Sequence, residues 1–276
     1  MDFFKKTVGY FQFRKSPPQC FVLGNQKSGT SAVAGLMAAA TGKRTLIDFD
    51  IDRVSLIREV RSGARSLQSF FFRNGERLQG QEIIKEPHLT FALNHLLEVF
   101  PETSVVFVVR DPVENIRSIA ERLRLDREGL NQNVGRFLSE RREHLSQGWQ
   151  LVFDDVALNG KDSFEQTVLE LLVQRWMLAV RAIRDCRSNV VTIRYEQFQN
   201  DKEAEIARVC READMVPIHP LNEKAEHSFQ PPGPKRFRFD EKDVLAIRSD
   251  CRDEMEWIGY EADLIESLES VAKCSS

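Results

Sequence analysis

The sequence has no paired cysteines. Its five, Cys20, Cys186, Cys210, Cys251 and Cys274, are scattered through 276 residues and never fall in a Cys-x-x-Cys spacing. This argues against a disulfide framework or a cysteine zinc site and fits a reducing compartment. Apolar runs long enough to span a bilayer are missing as well. The opening "MDFFKKTVGYFQFRKSPPQ" interleaves Phe with Lys and has no apolar centre of signal-peptide length, so a cytoplasmic protein is expected. The two signs of charge nearly balance, at a net −3, which leaves any attraction for polyanions to local Arg and Lys clusters and does not suggest nucleic acid. With 14 Gly and 10 Pro there is no low-complexity tract, and no repeat or long linker divides the chain.

What is present is ordinary for a globular protein: 42% hydrophobic and 29% charged residues, in a chain long enough to bury a full core. One domain over 20–276 is expected, preceded by an N-terminal arm over 1–19. Phe3, Phe4, Tyr10, Phe11 and Phe13 of that arm suit packing on the domain better than a peripheral membrane contact. Four runs, "CFVLG" (20–24), "EIIKE" (82–86), "SVVFVVR" (104–110) and "NVVTIRY" (189–195), are apolar on both faces, as strands of a covered parallel sheet are. Helical patterns separate them over 30–40, 88–100, 112–125, 164–185 and 202–213. The alternation predicts an α/β fold: a single doubly wound, mostly parallel sheet flanked by helices, with ligands beyond the carboxyl ends of the strands. The charged stretch 125–161 reads as an exposed helical excursion bordering a pocket. The late "HSFQPPGPKRFRFDEKD" reads as a basic loop carrying Lys235, Arg236 and Arg238.

"GNQKSGTS" (24–31) follows the first strand and precedes the first helix. A strand, a Gly-bounded turn and a helix aim backbone N–H groups and the positive helix end at one point, which makes an anion site and a P-loop-NTPase-like fold. A nucleoside-triphosphatase loop, however, carries Lys immediately after its second glycine. Here Thr30 stands there, and the positive charge is Lys27, two residues before Gly29. An ordinary glycine turn is the plain alternative.

A second constellation is "SVVFVVRDPVENIRSIAERL": a buried strand ending in Arg110, then Asp111 as N-cap, Pro112 at the first helical position, and Ser118 two turns on. A charge at the tip of a central strand is costly unless it meets an anion, and the Arg110 fork suits phosphate. A surface pair with Asp111 or Glu114 is the alternative.

Together these motifs resemble the sulfotransferases that use 3′-phosphoadenosine 5′-phosphosulfate (PAPS). Lys27-Ser28-Gly29-Thr30-Ser31 is similar to the first motif of that family, and Arg110-Asp111-Pro112 with Ser118 to its second. Lys85 in "IIKEPHL", "IRYEQF" (193–198) and "PKRFRF" continue the resemblance in order. It implies that Lys27, Ser28, Gly29, Thr30 and Ser31 hold the 5′-phosphate. Arg110, Ser118 and the group Lys235, Arg236 and Arg238 would hold the 3′-phosphate, with Tyr195 near the adenine. Lys27 would stabilise the leaving group and Lys85 would make a second contact near the transferred sulfuryl group. PAPS has no γ-phosphate and the family needs no magnesium, which accounts for a lysine placed early in the loop.

The base stays open. Many members of the family carry Lys-Thr-His-Leu, but "KEPHL" has one residue more between Lys85 and His88; other branches use a carboxylate soon after the first helix. The order of candidates is Asp48, His88, then Glu86 and Asp50. The acceptor, a hydroxyl or amine of a carbohydrate, lipid, phenol or peptide, has no motif of its own. Phe70, Phe71 and Phe72 offer either a pocket wall or packing. The rivals are a small-molecule kinase with an altered loop, which would need magnesium, and a nucleotide-binding module without turnover.

Overall fold

The computed structural model describes residues 7, 10, 13, 15–48, 59, 60, 63–156, 164–186, 190–221 and 237–260. In chain order its elements begin with β1 (Cys20–Gly24), α1 (Thr30–Thr41), β2 (Thr45–Ile47), α2 (Leu67–Leu78) and β3 (Ile83–Lys85). A 3-10 segment (Pro87–Ala92) then leads into α3 (Leu93–Val99), β4 (Ser104–Val109), α4 (Pro112–Leu123), α5 (Arg127–Asn131) and α6 (Val134–Arg141). After them come α7 (Gln147–Val156), α8 (Val168–Arg184), β5 (Val190–Arg194), α9 (Tyr195–Asn200), α10 (Lys202–Glu212), α11 (Glu241–Asp250) and α12 (Arg252–Trp257).

The five strands form one parallel sheet in the order β2-β3-β1-β4-β5. Alternation along each strand divides the core. Phe21, Leu23, Ile84, Val105 and Phe107 face a layer built from α2, α3, α4 and α8, whereas Cys20, Val22, Ile83, Val106 and Val108 face α1 and α10. Burial on both faces is why these strands read as continuous apolar runs. The chain departs from β1 toward β2 and β3 on one side and later fills β4 and β5 on the other. The crevice beyond β1 and β4 is therefore the topological switch point, where open α/β sheets hold ligands.

Several expectations need adjustment. The helix over 88–100 is a 3-10 segment followed by α3, because Pro87 starts the turn and the Glu86 carboxylate caps it by accepting from His88 N–H at 3.1 Å. The helix over 164–185 starts at Val168, where Thr167 and Glu170 make a reciprocal capping box. The excursion over 125–161 is more than a solvated face: Leu130, Val134, Phe137, Leu151, Val152 and Phe153 are buried in the main core. Its residues 157–161 lie outside the described residues. Phe70 and Phe71 are buried in packing, not arranged as a pocket wall. Phe13 is fully buried and stacks on Phe71 at 5.5 Å, with Tyr10 edge-on to Phe72 at 5.5 Å. The arm thus packs on the domain at these positions; such an aromatic pair contributes about 1 kcal/mol. Phe3, Phe4 and Phe11 lie outside the described residues. Among the described residues, no helix is long and apolar enough to cross a membrane.

Candidate active site

The loop after β1 is held from three sides. Gly24 has φ 148, and a Cβ there would lie 2.4 Å from the Val108 carbonyl oxygen, so only glycine brings β1 this close to β4. Thr90 Oγ1 accepts from Gly24 N–H at 2.9 Å and lies 3.2 Å from the Gly24 carbonyl, to which it donates. From α4, the buried Asn115 accepts from Asn25 Nδ2 at 2.9 Å and donates to the Gln26 carbonyl at 2.9 Å and to Ser28 Oγ at 3.1 Å. Gly29, at φ 99, is the N-cap of α1, and no side chain caps that helix. Its first N–H groups are therefore open to an anion. The Tyr195 ring lies against this turn so closely that a Cβ on Gly29 would meet it at 2.3 Å.

Cations converge on the same point. Lys27 stands in the left-handed region at φ 66 and forms no ion pair among the described residues. Burial, then the positive charges of Arg122 and Arg110, push its ammonium below the usual lysine range. Arg110, at the end of β4, donates through Nη1 to the Lys27 carbonyl at 3.2 Å, and its Cζ lies 4.6 Å from the Tyr195 ring centroid. Its Nη2 is 3.6 Å from Glu114, so the alternative pairing with Glu114 is present as a loose ion pair. The Nε of Arg110 and that of Arg117 are buried and have no hydrogen-bond partner among the described residues. Arg117 is also pushed down by burial and, among other charges, by Arg110 and Arg238; the latter sits in the late basic loop, where Phe237 N–H donates to Glu121 at 3.3 Å.

Beside the loop, the end of β3 faces the end of β2. Lys85 Nζ is paired with the Asp48 carboxylate, and Asp48 N–H donates to the Lys85 carbonyl at 3.1 Å. Lys85 is 6% exposed in its side chain and Asp48 62%, so the pair presents its carboxylate to solvent. Glu86 is buried, and that burial pushes its carboxyl up to about 7. His88 is buried with both ring nitrogens near Gln26 Nε2, at 3.3 and 3.2 Å. Gln26 Oε1 in turn accepts from the fully buried Arg175, at 3.2 Å from Nε and 2.9 Å from Nη2. The guanidinium also lies 4.1 Å from the Phe91 ring centroid. This arrangement turns the Gln26 amide group toward the histidine ring.

Residues 41–159 match a family model described as "Sulfotransferase family". The fold is shared too. Solved structures that align include a sulfotransferase from Alicyclobacillus acidocaldarius, at 14% identity over 88% of this chain and 96% of that one with a TM-score of 0.50, and a sulfotransferase from Mycobacterium avium, at 14% identity over 92% and 81% with a TM-score of 0.50. This is a sulfotransferase fold. No curated protein matches the sequence.

The family match spans Asp48, Lys85, His88, Arg110 and Ser118 and leaves out the 24–31 loop and Tyr195. In this sulfotransferase fold Lys27, Ser28, Gly29, Thr30, Ser31, Arg110 and Tyr195 gather at the β1–β4 crevice, and Ser118 is half-buried on α4. Asp48 and Lys85 pair at the adjacent strand ends. Lys235, Arg236 and Asp50 lie outside the described residues. Sequence reasoning missed Asn115, Gln26, Thr90 and Arg175, which hold the loop. It also missed Arg117 and Arg122, which add charge. Asn115 and Arg175 carry no local signal, since each is an ordinary helical residue whose partner is distant in sequence.

Proposed function

We propose that this protein is a sulfotransferase that moves a sulfuryl group from PAPS to a hydroxyl or amine of an acceptor by in-line attack. PAPS supplies the sulfuryl group joined to a phosphate that becomes the leaving group. The observation that carries the reading is Arg110: a strand-end guanidinium tied to the loop carbonyl of Lys27 and stacked on Tyr195, with a buried Nε that has no hydrogen-bond partner among the described residues. Such a group suits a second phosphate beyond the one held by the loop.

In this reading the N–H groups of the α1 terminus, with Ser28, Thr30 and Ser31, hold the 5′-phosphate, and Lys27 places positive charge on the leaving oxygen. Arg110 and Ser118 hold the 3′-phosphate, and by the resemblance Lys235, Arg236 and Arg238 are assigned to the same phosphate. Tyr195 faces the adenine. Lys85 adds charge near the transferred group. The base is Asp48, because a base must reach the acceptor's proton and the other described candidates, Glu86 and His88, are buried at 3% and 6% exposure. A kinase reading is weaker because Thr30 occupies the position of the triphosphatase lysine.

Parallel calorimetric titrations, one in EDTA and one in magnesium, test this. Adenosine 3′,5′-bisphosphate should bind without metal and ATP poorly, and labelled PAPS should then identify the acceptor class. ATP binding that depends on magnesium, with no affinity for the bisphosphate, would favour the kinase.

A further inference from the structure

The peptide unit joining Arg110 to Asp111 is held at both ends by residues far away in sequence. Trp176, buried on α8, donates from Nε1 to the Arg110 carbonyl at 2.9 Å. Glu196, the second residue of α9, accepts from Asp111 N–H through Oε1 at 3.0 Å. The other oxygen of Glu196 accepts from the Tyr260 hydroxyl at 2.7 Å, and Tyr260 is fully buried. The Arg194 guanidinium lies 3.9 Å from the Tyr260 ring centroid and donates to the Gly259 carbonyl at 2.7 Å, which fixes the end of α12 against β5. Trp176 and Glu196 act on the backbone from which the Arg110 side chain departs, and Tyr260 acts on it through Glu196.

We infer that Trp176, Glu196 and Tyr260 are positioning residues that aim the Arg110 guanidinium at the 3′-phosphate of the nucleotide. The inference rests on the proposed use of PAPS. Two hydrogen bonds on one peptide fix its plane, and with it the direction in which the Arg110 chain leaves β4. A fork-shaped donor binds phosphate well only when both of its N–H groups are aligned, so a tilt of that plane weakens the 3′ contact and spares the 5′ contact at the loop. The sequence puts the two recognition elements side by side for this purpose: Tyr195 covers the loop and stacks on Arg110, and Glu196 holds the corner behind it.

The test compares adenosine 3′,5′-bisphosphate with adenosine 5′-phosphate by calorimetry, in wild type, Tyr260→Phe, Trp176→Phe, Glu196→Gln and Arg110→Ala. Tyr260→Phe and Trp176→Phe should each weaken the bisphosphate roughly 3- to 10-fold, the scale of one ordinary hydrogen bond, and leave the monophosphate unchanged. Glu196→Gln keeps an acceptor for Asp111 N–H and should lose less than either. Equal weakening of both ligands would reduce these residues to general support and overturn the inference. So would wild-type discrimination in both aromatic variants while Arg110→Ala loses it, an outcome that leaves the sulfotransferase reading intact. A wild-type protein that does not prefer the bisphosphate overturns both. If Tyr260→Phe fails to melt cooperatively, Trp176→Phe, which acts at the opposite end of the same peptide, decides between these outcomes.

Discussion

Replacing Glu86 with Gln should remove a pH-dependent penalty from the native state. Glu86 is 3% exposed, and its carboxyl rises from the ordinary 4.5 to about 7 because burial disfavours the charge. His88 and Lys85 pull it down and Asp48 pushes it up, but burial dominates. Between pH 4.5 and about 7 the native carboxyl holds its proton more tightly than the unfolded one. Stability therefore falls as pH rises through that window and levels off above it, by at most about 3 kcal/mol. Glutamine keeps an oxygen for the His88 N–H and cannot ionise. Urea unfolding from pH 4.5 to 8.5 should show a variant whose advantage over wild type grows with pH from near zero and then stays constant. Parallel stability curves, or a variant whose disadvantage grows with pH, would refute the reasoning.

Lys27→Ala should lower the turnover number more than it raises the PAPS dissociation constant, because the charge is assigned to the leaving oxygen; single-turnover kinetics beside a binding titration separate the two. Asp48→Asn should keep nucleotide affinity and reduce turnover by something on the order of 100-fold or more. Loss of turnover only in His88→Asn would move the base there. Arg175→Met leaves Gln26 Oε1 and the Val152 carbonyl short of donors, which should destabilise the protein by about 2 kcal/mol in urea unfolding and loosen the loop. Because Lys27 is held below the usual lysine range, affinity for a phosphate ligand should fall on the alkaline side earlier than a free lysine would require, as a calorimetric pH series would show.

β1, β3 and β4 were legible because burial on both faces leaves a run of apolar residues in the sequence, and β5 because its β-branched residues cluster, although alternate ones are only half-buried. β2 was not, since its three residues are only half-buried at the sheet edge and carry no such run. The pairing of Asp48 with Lys85 depends on that missed strand, because the β2–β3 register sets Ile47 opposite Lys85 and brings the next carboxylate to the lysine. Arg110 was readable as a candidate anion ligand from its place at a strand end. Its supports were not, because Trp176, Glu196 and Tyr260 approach through folds of the chain that no local pattern encodes. The excursion over 125–161 misled through its charges: the apolar residues that bury it recur at helical spacing within short helices.

The central claim is that the crevice holds a nucleotide carrying phosphates at both the 3′ and 5′ positions. Its most direct test is a calorimetric titration of wild type and Arg110→Ala with adenosine 3′,5′-bisphosphate and adenosine 5′-phosphate, without metal. The account predicts that wild type prefers the bisphosphate and that Arg110→Ala loses roughly 1.5 to 3 kcal/mol of bisphosphate binding while the monophosphate is nearly unaffected. Equal losses for the two ligands, or no preference in wild type, would contradict it.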